Sequence, residues 1–145
     1  MTQPNPDVAD LAEHLRGAVS AFVRTVRYDT DTPRSAGADT LELLDGAGPA
    51  NIAALARIRN VKHQSMRLVT AQLEEEGLVV RVPDPDDGRS VLFAVTEQGR
   101  ARLREARAAR AAHIAGLIAA RLSPAECAEL GAAIRLIERL ADRRP

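Results

Sequence analysis

The chain has 145 residues, and its 20 Lys and Arg balance 20 Asp and Glu to a formal net charge of zero. This length suits one domain with one hydrophobic core. Its aromatic content of one Tyr, two Phe and no Trp argues against single-stranded nucleic-acid binding, which relies on stacking. The single cysteine excludes an intrachain disulfide and a cysteine-based zinc site. We expect a cytoplasmic protein without a membrane partner, because neither a secretory signal nor an apolar run of roughly 20 residues is present.

The first third of the chain reads as helices separated by turn-rich segments. Apolar residues at intervals of three and four over residues 7–28 predict an amphipathic first helix. Turn-forming residues at 29–37 end this helix. A second helix is predicted over about 38–45, and the glycines within 46–48 stop it. Asn51 then stands where an N-cap would begin a third helix.

The fourth predicted helix, from about residue 62 to residue 76, has an apolar and a donor-rich face. Met66, Val69 and Leu73 form the stripe that we expect to be buried, and Gly77 ends the helix. The remaining surface carries side chains of the kind that reach base edges or phosphates in DNA: Lys62, His63, Gln64, Ser65 and Arg67. An ordinary solvated helix surface is the alternative, and the helix by itself fits both interpretations.

Two strand-like segments follow at 78–83 and 90–95, joined by the sequence DPDDGR. Asp87 and Gly88 in this connection are a strong hairpin-turn signal. A helix suited to one DNA groove, followed by a ribbon with Arg89 at its tip, is typical of a winged helix-turn-helix. We predict that Arg89 enters a narrow minor groove and that Asp87 orients its guanidinium. A weak surface ion pair between the two is the alternative.

The zero net charge hides an uneven distribution. Residues 1–56 carry eight acids against four arginines, whereas residues 57–67 carry four basic residues and no acid. This basic run coincides with the segment predicted to face DNA. A winged helix used only for protein–protein contacts is the alternative, and the basic run together with Arg89 argues against it.

Two more helices complete the chain. Thr96 is the predicted cap of a fifth helix over about 97–122. Ser123, Pro124 and Glu126 occupy the N-cap, first and third positions expected at the start of a sixth helix. We expect the arginines between residues 100 and 110 to form a solvated face of the fifth helix.

The sixth helix has an apolar stripe with little chain left to cover it: Leu130, Ile134, Ile137 and Leu140. Together with the stripe on residues 7–28, it predicts a homodimer held by the terminal helices. Cys127 lies in the first turn, where a thiolate is favoured, but we interpret it as a small structural hydrophobe rather than an oxidation sensor. The histidines lack metal-ligand spacing, and no nucleophile–base pair or phosphate loop indicates an enzyme or a cofactor site.

The block from about Gly48 to Leu103 resembles the multiple-antibiotic-resistance regulator (MarR) family of bacterial transcription factors. The sequences that carry the resemblance are GPANIAALA, QSM, LEEEGLV, RVPDPDDGRSVLF and TEQG. It implies a mainly α, winged helix-turn-helix homodimer that binds a palindromic operator, usually as a repressor, and is released by a small ligand or by oxidation. Residues 1–145 would then be a single domain, with dimerisation helices at about 7–28 and 97–142 and a DNA-binding lobe over about 38–96.

Three positions depart from the family pattern and affect the expected base contacts rather than the fold. Lys62 stands at a cap position that is often Thr or Ser, and Arg67 falls one position before the usual arginine. Gly88 stands where a second basic residue is common. The resemblance also implies an effector cleft between the interleaved helices and the winged domain. The scarcity of aromatic residues predicts that helices one, two and five line this cleft with aliphatic side chains. Such a cleft suits small apolar or phenolic compounds, with an arginine meeting any carboxylate.

Overall fold

The computed structural model describes residues 6–142 of the chain. Six helices and one antiparallel hairpin lie within these residues. In chain order they are α1 (Pro6–Asp29), α2 (Ala36–Ala47), α3 (Ile52–Arg59), α4 (His63–Glu75), β1 (Val79–Pro83), β2 (Val91–Val95), α5 (Glu97–Arg121) and α6 (Pro124–Ala141). The order and type of the elements confirm the predicted, mainly α, winged helix-turn-helix fold.

Side-chain caps fix where most of the helices begin. Asn51, Thr96 and Ser123 each accept a hydrogen bond from the backbone N–H three residues later, as predicted, and Ser123 forms a complete capping box. Ser35 caps α2 in the same way, and this helix starts two residues earlier than the sequence predicted. Lys62 is the N-cap of α4 but makes no capping bond, because its ammonium group cannot accept a hydrogen bond from a backbone N–H.

One core joins α2, α3, α4, the hairpin and the start of α5. Its buried members are Leu41, Leu44, Leu55, Ala56, Met66, Leu73, Leu78, Val79, Phe93, Val95 and Leu103. The predicted stripe of α4 is confirmed at Met66 and Leu73, whereas Val69 is only partly buried. Thr70 is buried as well, and its hydroxyl donates to a carbonyl one turn earlier at 3.0 Å. That internal bond offsets the cost of taking a polar group out of water.

The hairpin is rooted at the start of α5. Its register pairs Val79 with Val95 and Pro83 with Val91. The Thr96 hydroxyl donates to the carbonyl of Gly77 at 2.6 Å, and the Thr96 N–H donates to the carbonyl of Leu78 at 3.0 Å. Gly77 itself has a φ of 72°, which explains why the sequence places a glycine at the predicted end of α4. Two hydrogen bonds from Thr96, one donated by its side chain and one by its backbone, therefore join the start of α5 to the residues just before β1.

The arginines of α5 do not form the simple solvated face that the sequence predicted. Arg102, Arg107 and Arg110 pair with Glu76, Asp45 and Glu42 at 3.5, 3.3 and 3.7 Å. These acids belong to α2 and to the end of α4. The arginines therefore join α5 to the unit formed by α2, α3, α4 and the hairpin, which we call the winged lobe. The side chain of Arg110 is only 17% exposed. Sequence reasoning missed the pairs because their members are far apart along the chain.

The terminal helices leave their apolar side chains in solvent. Helix α6 buries no residue, and its predicted stripe is exposed by 36% at Leu130 and 76% at Leu140. On α1, Leu11 and Phe22 are exposed by 67% and 47%. Cys127 is a half-buried free thiol. Within residues 6–142, none of the helices is both long and apolar enough to cross a membrane.

Candidate nucleic-acid interface

The first half of α4 presents the donor-rich surface that the sequence predicted. All five predicted residues are exposed on it: Lys62, His63, Gln64, Ser65 and Arg67. Within residues 6–142, no hydrogen bond or ion pair engages any of their side chains. We call these five residues the donor face. Its donors are free to bind an external partner.

A three-residue turn and a buried contact set the angle between α3 and α4. Asn60 ends α3 in the left-handed conformation, with a φ of 51° that asparagine tolerates. The N–H of Val61 then donates to the carbonyl of Ala56 at 3.0 Å. Leu55 and Met66 pack in the core beneath, with 0% and 2% of their surfaces exposed. The turn and the shared core therefore hold α4, and the donor face on it, against α3, which suits a surface that must match another molecule.

The basic run 57–67 is less free than its charge count indicated. Arg59 donates to Asp39 of α2 at 3.1 Å, and Arg34 donates to the same carboxylate at 3.2 Å. Burial by itself would raise the pKa of Asp39, but the hydrogen bonds and charges of the two arginines together lower that pKa below its ordinary value. Arg59 therefore braces α3 against α2. The other three cations of the run, Arg57, Lys62 and Arg67, are exposed and have no ion-pair partner among residues 6–142.

The wing tip differs in detail from the prediction. The Asp87 carboxylate accepts the backbone N–H of Arg89 at 3.0 Å, and the Asp87 carbonyl accepts the N–H of Ser90 at 2.9 Å. No ion pair joins Asp87 to the Arg89 guanidinium in the part of the chain that the structure describes. Asp87 thus shapes the turn through the backbone, as Asx turns do, instead of holding the guanidinium. The predicted hairpin is present, with β1 and β2 paired on either side of this connection, and Gly88 is not in the left-handed region.

The arginine on the wing strand plays a different part from Arg89. Arg81 pairs with Glu74 at 3.0 Å and lies 5.6 Å from the centre of the Phe93 ring. The ion pair joins β1 to α4, and the ring contact joins β1 to β2. Arg89 is exposed, and its guanidinium has no partner within residues 6–142. Arg89 therefore presents a cation at the tip of the hairpin with which none of the described residues pairs.

Comparison with known proteins identifies this arrangement. Residues 38–91 match the sequence model of the MarR family. An uncharacterized HTH-type transcriptional regulator of Mycobacterium bovis, Mb0904, is 35% identical over 139 residues, which cover 94% of this chain and 96% of the relative. The chain belongs to the MarR family. It is therefore an HTH-type, DNA-binding transcriptional regulator from a family without enzymatic activity.

Solved structures support the fold of this MarR-family protein over most of the chain. A putative transcriptional regulator from Pseudomonas aeruginosa superposes with a TM-score of 0.84 at 27% identity, covering 97% of this chain and 100% of that one. Wild-type MarR from E. coli in its apo form superposes with a TM-score of 0.63 at 18% identity, covering 94% and 98%. At that identity the second likeness concerns the fold alone.

One exposed residue beside the donor face was not among the site residues predicted from the sequence. Leu68 follows Arg67 on α4, and 65% of its surface is exposed. The available signal was its position, because Leu68 falls outside the stripe formed by Met66, Val69 and Leu73. An apolar side chain beside unpaired donors gives this surface a chemistry that the predicted residues lack.

A cavity of about 440 Å³ lies beneath the winged lobe of this MarR-family protein, between the α1–α2 connection, α2, α4 and α5. Its apolar lining includes Leu41, Val69 and Leu103. Arg27 reaches it from α1; its Nη1 donates to a backbone carbonyl at 3.2 Å, while its buried Nε has no hydrogen-bond partner within residues 6–142. The cavity lies at helices two and five, which were predicted to line the effector cleft; α4 forms a further wall, and Arg27 is the lining residue that α1 contributes.

Proposed function

We propose that this protein represses transcription by binding a palindromic operator as a homodimer, and that a small ligand releases it. The observation that carries the DNA-binding part is the donor face, since its donors have no partner within the described residues and stand next to a wing with an unpaired Arg89. In this proposal residues 38–96 form the DNA-binding lobe. The helices at 7–28 and 97–142 form the dimer.

Each residue of the surface has a role that its chemistry supports. Arg67 can donate two hydrogen bonds to one guanine, and Gln64 can pair with adenine. The other three members of the donor face contact phosphates or base edges near the start of α4. Arg89 enters the minor groove and adds affinity that depends little on sequence, with Asp87 setting the backbone at the tip.

The dimer rests on the exposed apolar stripes of the terminal helices. A water-exposed stripe on a long helix gains free energy when a second copy covers it, at about 25 cal/mol per Å² of apolar surface. Helix α6 has no buried residue in the single chain, although its period of three and four is that of a packed helix. A second copy also places two donor faces on one operator. Two such helices bind together when they lie about 34 Å apart, one turn of DNA.

The cavity supports ligand control of that spacing. Its lining combines aliphatic side chains with Arg27, which has a spare buried donor for a carboxylate. Small phenolic acids carry both an apolar ring and a carboxylate. Such a ligand releases DNA only if it binds more tightly to a spacing that the operator does not fit. Arg34 directly follows residues 31–33, which line the cavity. It bonds Asp39, which in turn accepts from Arg59 of α3, so a ligand that moves this segment could shift α3 through these contacts.

The DNA-binding part is tested by selecting duplexes from a random library with the wild-type protein and measuring their dissociation constants. We expect Arg67→Ala to cost roughly 1–3 kcal/mol on the selected duplex and to broaden the preferred sequence. Arg104→Ala removes the same charge from an exposed position on α5 and should retain the sequence preference. Equal losses in the two variants would mean that only overall charge matters. Failure to enrich any duplex would favour a module for protein–protein contacts.

A further inference from the structure

The exposed Leu68 lies at the outermost line of α4. Counting about 100° per residue, it points within roughly 30° of the direction opposite to the buried Met66, Thr70 and Leu73. Gln64, one turn earlier, lies in the same sector. Leu68 therefore stands further forward on the helix than Arg67, which lies toward one side.

The chemistry of Leu68 differs from that of its neighbours. A lone exposed leucine is common on protein surfaces and does not by itself indicate a site. Here, however, the leucine directly follows Arg67 and lies one turn after Gln64, two exposed side chains that can donate hydrogen bonds, and it can neither donate nor accept one. Base edges in the major groove offer one main apolar group, the C5-methyl of thymine. Leucine and this methyl group fit each other by burying apolar surface that both otherwise expose to water.

We propose that Leu68 selects thymine in the operator by packing against its C5-methyl group. The inference rests on the DNA binding proposed above and adds a contact that reads bases without hydrogen bonds. Because Leu68 follows Arg67 and lies one helical turn after Gln64, the selected thymine is in the same half-site as the bases that those two residues read. The operator should therefore have a thymine at a position related by symmetry in its two halves.

The test removes the methyl group from the DNA instead of altering only the protein. Duplexes enriched by the wild-type chain are resynthesised with each thymine pair replaced in turn by deoxyuridine. We expect one symmetric pair to weaken wild-type binding by about fourfold per half-site, the effect of leaving one methyl group unburied. Leu68→Ala should bind the two duplexes with nearly equal affinity, whereas Leu68→Met, which retains an apolar side chain of similar length, should restore the difference.

A matched control uses another exposed aliphatic residue of the same lobe. Ile58 is 55% exposed on α3, and Ile58→Ala should keep the full difference between thymine and deoxyuridine. Thermal unfolding of each variant checks folding, which Leu68→Ala should leave intact because the side chain is largely in solvent. Sensitivity at one pair that is lost only in Leu68→Ala supports the inference.

Two results overturn the inference in distinguishable ways. If duplexes are enriched but no thymine position responds to deoxyuridine, or if Leu68→Ala responds as strongly as the wild type, the DNA-binding proposal stands and the role of Leu68 is wrong. If no duplex is enriched at all, the proposed function fails, and the role of Leu68 fails with it.

Discussion

Replacing Gly99 with alanine should destabilise this protein, although the same change usually stabilises a helix. Gly99 lies in the first turn of α5, directly against the root of the hairpin. An added Cβ would stand 2.3 Å from the carbonyl oxygen of Leu78 and 2.8 Å from Cγ1 of Val95. Backbone atoms cannot yield to such an overlap as the end of a flexible side chain can. Helix α5 and strand β1 must therefore separate.

The cost follows from the size of that separation. The helix and the strand must move apart by roughly 1 Å, and overpacking of this kind typically costs about 1–3 kcal/mol. The movement also weakens the 3.0 Å hydrogen bond from the N–H of Thr96 to Leu78, a bond worth about 1 kcal/mol. Alanine returns up to about 1 kcal/mol through its higher helix propensity. We therefore expect a net loss of about 2 kcal/mol.

Urea unfolding at one fixed protein concentration measures this loss. Gly46→Ala is the matched control, because Gly46 lies in α2 and an added Cβ there meets no atom within 4 Å. We expect the control to gain roughly 0.5 kcal/mol in its free energy of unfolding. The reasoning is refuted if Gly99→Ala unfolds at the same urea concentration as the wild type, or if both variants lose stability equally.

Four further predictions concern DNA, the dimer, acid and the ligand. Arg89→Ala should weaken binding to most duplexes and lower the slope of log affinity against log salt by about one, and an unchanged slope would exclude a contact with DNA. Ile134→Asp combined with Ile137→Asp should give monomers or unfolded chain by sedimentation, whereas a wild-type mass of one chain at micromolar concentration would contradict the dimer. Because the pKa of Asp39 is lowered in the fold, its charged carboxylate stabilises the protein at pH values above its ordinary pKa of 3.8, and this contribution is lost as the pH falls through the still lower pKa of the folded state. Asp39→Asn should therefore flatten that part of an acid-unfolding curve. An unaltered curve would show that the ion pairs of Asp39 contribute nothing. In thermal-shift measurements with a set of phenolic acids, Arg27→Met should abolish any stabilisation that the wild type shows. Gel-shift titration should show that the same compounds release DNA. A phenolic acid that stabilises the wild type but leaves DNA bound would contradict the ligand switch.

The fold was predictable because its main signals are local. Capping at Asn51, Thr96 and Ser123 depends on residues only three apart, and a turn signal between two apolar segments predicts the hairpin. The MarR resemblance then supplied the arrangement of these elements in space. The donor face could be placed on the exposed side of α4 for the same reason, since the buried stripe at Met66 and Leu73 fixes the opposite side.

The contacts that escaped prediction join residues that are distant in the chain or use backbone atoms. Arg59 counted as a free cation because Asp39 lies 20 residues away, and only the packing of α2 on α3 brings the two together. Asp87 was assigned to the guanidinium of Arg89, yet its carboxylate bonds the backbone N–H of that residue. Net charge and periodicity contain no information on either choice. Leu68 was overlooked because an apolar residue among donors fits neither a core stripe nor a list of hydrogen-bonding side chains.

The ion pairs along α5 have a consequence for how ionic strength acts on this regulator. Beyond Leu103, α5 is joined to α2 by Arg107 with Asp45 and by Arg110 with Glu42. Partly exposed pairs of this kind are worth about 0–1 kcal/mol each and weaken as salt shortens the Debye length, which is about 8 Å at physiological ionic strength. Salt therefore loosens the joint between the winged lobe and the long helix while it also screens the phosphates. Part of the measured salt dependence of DNA binding should therefore come from the ion pairs between α5 and α2. A variant in which Asp45 is neutralised should lose that part of the salt dependence.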